Sequence, residues 1–177
     1  MRSRLLTSVL APVMVAAALV AVSPQAQAAP ADVVAARESA RSRAAVDFNG
    51  SYRLASSENY DAYLQAAGAG LAVRQILNST TPTTVITVSG TNWTIKTESS
   101  FKNVESTFTL GSPFQQETLD GRILTSVATL SADGTALAFD QNLNGQTSTD
   151  TIALNDTGFA ETLSINDGVA TRVYKRA

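Results

Sequence analysis

The 177 residues carry 13 Lys and Arg against 15 Asp and Glu, a net charge of −2, with no His and no Cys. Without a basic stripe to displace counterions from phosphates, a nucleic-acid partner is not expected. The absence of His and Cys removes the commonest metal ligands and acid–base groups, so no metal site and no cofactor is expected, and no disulfide can staple the fold.

The N-terminus reads as a targeting segment. Arg2 and Arg4 precede an apolar run from Val9 to Val22, and Pro24 with Ala26, Gln27 and Ala28 supplies a small-residue cleavage site. Residues 1–28 are expected to be a signal peptide, and the run is shorter than the roughly 18 to 20 residues that cross a bilayer. The protein is therefore expected to be secreted, into the periplasm or the extracellular space. Residues 29–45 are Ala-rich, carry Arg37, Arg41 and Arg43 and lack a wide apolar stripe. They are expected to be a flexible or weakly helical lead-in. Residues 46–177 are expected to form a single domain, long enough to bury about two-thirds of its unfolded surface.

Within that domain the first element is a strand carrying Tyr52 and Leu54. A helix is expected to start at Ser56 or Ser57, with Tyr60, Tyr63 and Leu64 on one face at i, i+3, i+4 spacing. Gly68 and Gly70 turn the chain into a second short helix, Leu71 to Leu77, which Asn78 and Pro82 stop. Every later segment alternates with period two: Thr83 to Ser89, Asn92 to Glu98, Phe101 to Thr109, Phe114 to Leu119 and Arg122 to Ser131. The pattern continues with Thr135 to Gln141, Gln146 to Leu154, Gly158 to Ile165 and Val169 to Lys175. Turn dipeptides such as Asp120-Gly121, Asp133-Gly134 and Asp167-Gly168 separate them. Ten strands in a meander, with a helix pair between the first two, lose their exposed edges by closing into a barrel.

Several stretches resemble the fatty acid-binding protein family, the small intracellular-type lipid-binding barrels. They are GSYRLASSENYDAYLQAA from Gly50 to Ala67, TNWTIKTESSFKNVESTFTLGSPF from Thr91 to Phe114, Asp120-Gly121-Arg122, and the C-terminal VATRVYKRA. The resemblance implies an all-β fold: a ten-stranded antiparallel up-and-down β-barrel of lipocalin-like, calycin type, capped by a helix-turn-helix. It also implies a function, non-enzymatic carriage of one long-chain fatty acid or similar hydrophobic ligand by a monomer.

Alternation places Ala170, Arg172 and Tyr174 on one face of the last strand. The family's last-strand arginine and tyrosine grip the ligand carboxylate, and Arg172 and Tyr174 match that element. The chemistry suits the role, because a guanidinium fork and a phenol can converge on one carboxylate. The resemblance adds Gln141 as a polar cavity residue and Arg122 as a further cation. It places Ile76 and Leu77 of the second helix at the ligand's way in, with Phe101 at its lip, and brings Tyr60 and Tyr63 to the ligand from the first helix.

One departure stands out: Ile152 occupies the position where many members carry a second inward arginine, with Asp150 and Ser148 as its inward neighbours by parity. This puts the head-group pose and the preference for free acids in question, and with Asp150 it supports the alternative of a secreted structural or interaction barrel holding only water. A retinoid or other neutral lipid is a rival within carriage. An enzyme on the same scaffold is not expected, because without His and Cys no Ser-Lys or paired-carboxylate constellation has diagnostic spacing. The helix pair carries Arg74 as its only cation, so ligand transfer by diffusion through water is expected. Transient membrane contact then depends on the lead-in arginines.

Overall fold

The computed structural model describes residues 47–143 and 145–177. The expected signal peptide and lead-in, residues 1–28 and 29–45, and residue 46 of the expected domain lie outside the described residues. The elements run in chain order as β1 (Gly50–Glu58), α1 (Tyr60–Ala66), α2 (Leu71–Ser79), β2 (Thr83–Ser89), β3 (Asn92–Glu98), β4 (Val104–Thr109) and β5 (Pro113–Glu117). They continue as β6 (Ile123–Leu130), β7 (Ala136–Leu143), β8 (Gln146–Asn155), β9 (Gly158–Ile165) and β10 (Gly168–Arg176).

All ten strands join one sheet in the order β4-β3-β2-β1-β10-β9-β8-β7-β6-β5, and every pair is antiparallel. The first strand pairs with the last, so the meander curls into a nearly closed barrel. The one seam lies between β4 and β5, which share no ladder. Aromatic side chains close it from inside: Phe108 of β4 stacks on Phe114 of β5 with ring centroids 4.7 Å apart and planes 16° from parallel.

Two local expectations differ from the structure. The chain stays extended through Glu58, beyond the expected helix start at Ser56 or Ser57. The reason lies across the sheet, because Ser57 pairs with Arg172 and Glu58 with Thr171, and those ladder bonds outcompete a helix cap. A bulge between Leu54 and Ser56 absorbs the bend. Asn59 then reverses the chain in the left-handed region (φ 58), a conformation asparagine tolerates better than most residues.

The second difference is at Phe101, expected from the sequence to open a strand. It sits in the β3–β4 turn, where the Ser99 hydroxyl accepts hydrogen bonds from the backbone N–H groups of Phe101 and Lys102. The Asn103 side chain accepts from the Ser99 N–H. These local bonds satisfy the backbone without a partner strand, so β4 starts only at Val104.

The apolar core gathers at the end of the barrel away from the helices. Tyr52, Trp93, Phe108, Phe139, Phe159 and Tyr174 are all buried there, with Ile86, Leu137 and Ile152 packed among them. Burying each phenylalanine contributes about 1.5–3 kcal/mol. The Tyr52 hydroxyl donates to the Phe48 carbonyl at 2.9 Å, and the Arg176 guanidinium donates to the Asn49 and Asp47 carbonyls. The last strand thereby ties residues 47–49 across that end. At the other end α1 lies on β10, close enough that an added methyl at Gly168 would meet Ala66 Cβ at 2.7 Å.

Candidate functional site

Between the aromatic plug and the helix pair the barrel is hollow. A cavity of about 140 Å³ lies beneath α1, bordered by Tyr60, Leu77, Gln141, Asp150, Glu161 and Arg172 among others. A smaller one of about 60 Å³ continues toward the plug past Ile95, Phe139 and Ile152. Asp150 and Glu161 border both.

Arg172 stands at the centre of this space, 4% exposed. Its Nη1 donates to Glu161 Oε2 at 3.3 Å. Its guanidinium lies over the Tyr60 ring at 4.3 Å and near the Tyr174 ring at 5.4 Å, so two aromatic faces flank the charge. Tyr174 is fully buried against Phe159 at 4.5 Å. Burial opposes the charge on Arg172, yet Tyr174, Glu161, Tyr60 and Asp150 around it more than offset that and push its pKa up. The guanidinium is held protonated.

Strand register explains the neighbours. Across β7, β8, β9 and β10 one row reads Leu137, Ile152, Glu161, Arg172, each Cα opposite the next. Ile152 is therefore directly opposite Glu161. The next row toward the helices reads Phe139, Asp150, Leu163, Ala170. Burial pushes the Asp150 carboxyl well above its ordinary value, the Glu161 charge pushes it further, and Arg172 pulls it back only in part. Asp150 Oδ1 has no hydrogen-bond partner. Burial also raises Glu161, against the pull of Arg172 and Tyr174. One buried acid and one half-buried acid thus share one buried base.

The other expected site residues fall in several places. Gln141 is buried in an uncharged network: Ser148 Oγ donates to Gln141 Oε1 at 3.0 Å, and Ser126 Oγ donates to Gln116 Oε1 at 3.1 Å. Tyr60 and Tyr63 stack at 6.2 Å and both border the cavity, and burial raises both hydroxyls so that they stay neutral donors.

Arg122 also borders the cavity, but its guanidinium is already engaged. Nη2 pairs with Asp120 Oδ2 at 2.7 Å, and Nη1 donates to the Ala67 carbonyl at the end of α1. It works as a tie between the β5–β6 turn and the helix cap. Leu77 is buried and borders the cavity, whereas Ile76 and Phe101 are 40% and 42% exposed on α2 and the β3–β4 turn. Ile152 is buried, and it lines the smaller cavity beside Asp150 and Glu161.

Glu161 was not among the expected site residues. Its signal was present in the chain: in Gly158 to Ile165 it shares parity with Phe159, Leu163 and Ile165, so a carboxylate sits on the apolar face of a half-buried strand.

Residues 49–177 match the model of the lipocalin / cytosolic fatty-acid binding protein family. The chain belongs to this family. Sodium/calcium exchanger regulatory protein 1 of Doryteuthis pealeii is 39% identical over 135 residues, which cover 75% of this chain and 98% of that protein. Among solved structures, the REP1-NXSQ fatty acid transporter superposes with a TM-score of 0.70 at 37% identity, covering 75% of this chain and 98% of its own. A Schistosoma mansoni fatty acid-binding protein in complex with arachidonic acid gives a TM-score of 0.70 at 35% identity, covering 73% of this chain and 96% of that one. The family is described by its fatty-acid binding members, and the Schistosoma mansoni protein holds arachidonic acid.

Proposed function

We propose that the protein is an exported, monomeric, non-enzymatic carrier of one long-chain fatty acid or similar amphiphile, with the head group beside Arg172 and Tyr174 and the tail in the space bordered by Ile95, Phe139 and Ile152. The observation that carries this is a protonated arginine and a neutral phenol buried together beside the cavity, in a chain whose relatives include fatty acid-binding proteins. Export is supported by residues 1–28, whose basic start, apolar run and small-residue site follow the pattern of a signal peptide.

Affinity rests on the tail. Burying about fourteen methylenes at roughly 0.8 kcal/mol each gives a gross gain on the order of 11 kcal/mol, against about 1.5–3 kcal/mol for a charge-assisted hydrogen bond. Arg172 then sets orientation and selectivity. Exchange is expected at the helix pair, where Ile76 and Phe101 form the exposed rim and Leu77 the inner lining. Arg74, the only cation on the pair, is tied to Asp61 at 3.4 Å and to Gln65 at 2.9 Å, which favours transfer through water over docking on anionic membranes.

A neutral lipid such as a retinoid is a second reading, favoured by one observation: Glu161 already pairs with Arg172, and Ile152 supplies no second charge. Displacement of a fluorescent fatty acid from wild type and Arg172→Ala separates the two. Selective loss of acids in the variant supports the head-group assignment, equal loss of acids and alcohols favours the neutral ligand, and no binding of either by wild type overturns carriage.

A further inference from the structure

An anion entering this barrel meets a base that is already neutralised. Arg172 is paired with Glu161, Asp150 stands one row away with an oxygen that has no partner, and Ile152 opposite Glu161 has nothing to donate. The other charged groups that face the space do not relieve this. From the β5–β6 turn come Asp120 and Arg122, paired with each other, and from β5 comes Glu117, paired with Lys102 of the β3–β4 turn at 2.5 Å. From α1 come Tyr60 and Tyr63, and from β10 Tyr174, all neutral donors. Among the described residues, no unpaired cation borders the cavity.

We propose that the barrel takes up one proton with each anionic ligand it binds, the Glu161–Asp150 pair holding that proton while Arg172 turns from Glu161 to the anion. This rests on the carriage reading and adds its regulation.

The charge balance is closed. Before binding, the Arg172 and Glu161 charges cancel in their 3.3 Å pair, and burial without a partner at Oδ1 favours the protonated form of Asp150, so the cluster is neutral. A bare anion would leave it at one net negative charge in a closed space, where unpaired charge is costly. A proton taken from solvent onto Glu161 restores neutrality and releases Arg172. The burial that already raises both carboxyls works in the same direction. Acids are then held at lower pH and let go as pH rises, whereas a neutral ligand responds to neither change.

Isothermal titration of the purified protein in buffers of different ionisation enthalpy, between about pH 6 and 9, counts the protons directly. Dodecane-1-sulfonate serves as the anion, because it cannot carry the proton itself, and a long-chain alcohol serves as the neutral control. The expected result is net proton uptake on sulfonate binding, up to one per sulfonate, with Kd rising with pH over that window by up to about tenfold per unit, and none per alcohol. In Asp150→Asn/Glu161→Gln the uptake and the pH dependence of sulfonate binding should vanish. Wild-type binding of both probes with no proton exchange overturns this inference and leaves carriage standing. If neither probe binds, both fall. The wild-type count decides the matter even if the double variant does not fold.

Discussion

Replacing Ile152 with arginine tests the head-group chemistry most sharply, because the register puts residue 152 directly opposite Glu161. Opposite residues in an antiparallel pair have Cβ atoms about 4.5–5.5 Å apart, so a guanidinium at 152 reaches the Glu161 carboxylate. At an effective dielectric of about 20, that pairing is worth roughly 3 kcal/mol before desolvation is subtracted. Glu161 gains its own partner, Arg172 is released, and the buried cluster acquires one net positive charge ready for a carboxylate. If the released arginine contributes a net charge-assisted bond of about 1.5–3 kcal/mol, acid affinity at pH 8 should rise about 10- to 150-fold. The same change removes an aliphatic side chain from the core, and overpacking there should cost about 1–3 kcal/mol of stability. Fluorescent fatty-acid displacement at pH 8, with a long-chain alcohol measured alongside, reads the ratio of acid to alcohol affinity. A folded Ile152→Arg protein whose ratio is unchanged or lower would refute both the position of Glu161 and its hold on Arg172.

Asp150→Asn should change how stability depends on pH. The folded carboxyl titrates above its ordinary value, so the stability of the neutral form is full below about pH 4 and is lost as pH rises through the raised value, about 1.4 kcal/mol for each tenfold by which folding tightens the hold on the proton. Urea unfolding should find the variant gaining on wild type from pH 4 to pH 8, and parallel curves would contradict this. Gly168→Ala drives a methyl to within 2.7 Å of Ala66 Cβ and 3.1 Å of Tyr63 Cα, pushing α1 off β10. Stopped-flow measurements should show faster ligand release, with roughly 1–3 kcal/mol lost in stability; unchanged release would separate α1 from the gate. Tyr52→Phe removes the bond to the Phe48 carbonyl at the plugged end. It should cost about 1 kcal/mol in denaturant melts and leave ligand affinity untouched, and a clear loss of affinity would mean that the plug shapes the ligand space.

Much of this protein is determined within short windows of the chain. Period-two alternation is set by the geometry of an extended backbone, so the faces of the strands follow from residue order alone: Ala170, Arg172 and Tyr174 inward, and Ser148, Asp150 and Ile152 likewise. The helix pair, the glycine turn between its members and most strand boundaries follow from equally local signals. Segments that depended on partners far along the chain did not. Whether Ser56 and Ser57 cap a helix or extend a strand is decided by β10, more than a hundred residues later.

The site divides along the same line. Parity says that Arg172, Glu161 and Ile152 each face inward, yet it cannot say that they stand side by side. That adjacency comes from the registers of β8 on β9 and β9 on β10. Arg122 shows the converse. Its sequence position suggests a free cation for the ligand, and only folding brings the Ala67 carbonyl close enough to claim it. Residue order fixed which side chains enter the hollow, whereas the electrostatic balance among them exists only once distant strands are brought together in a low-dielectric space.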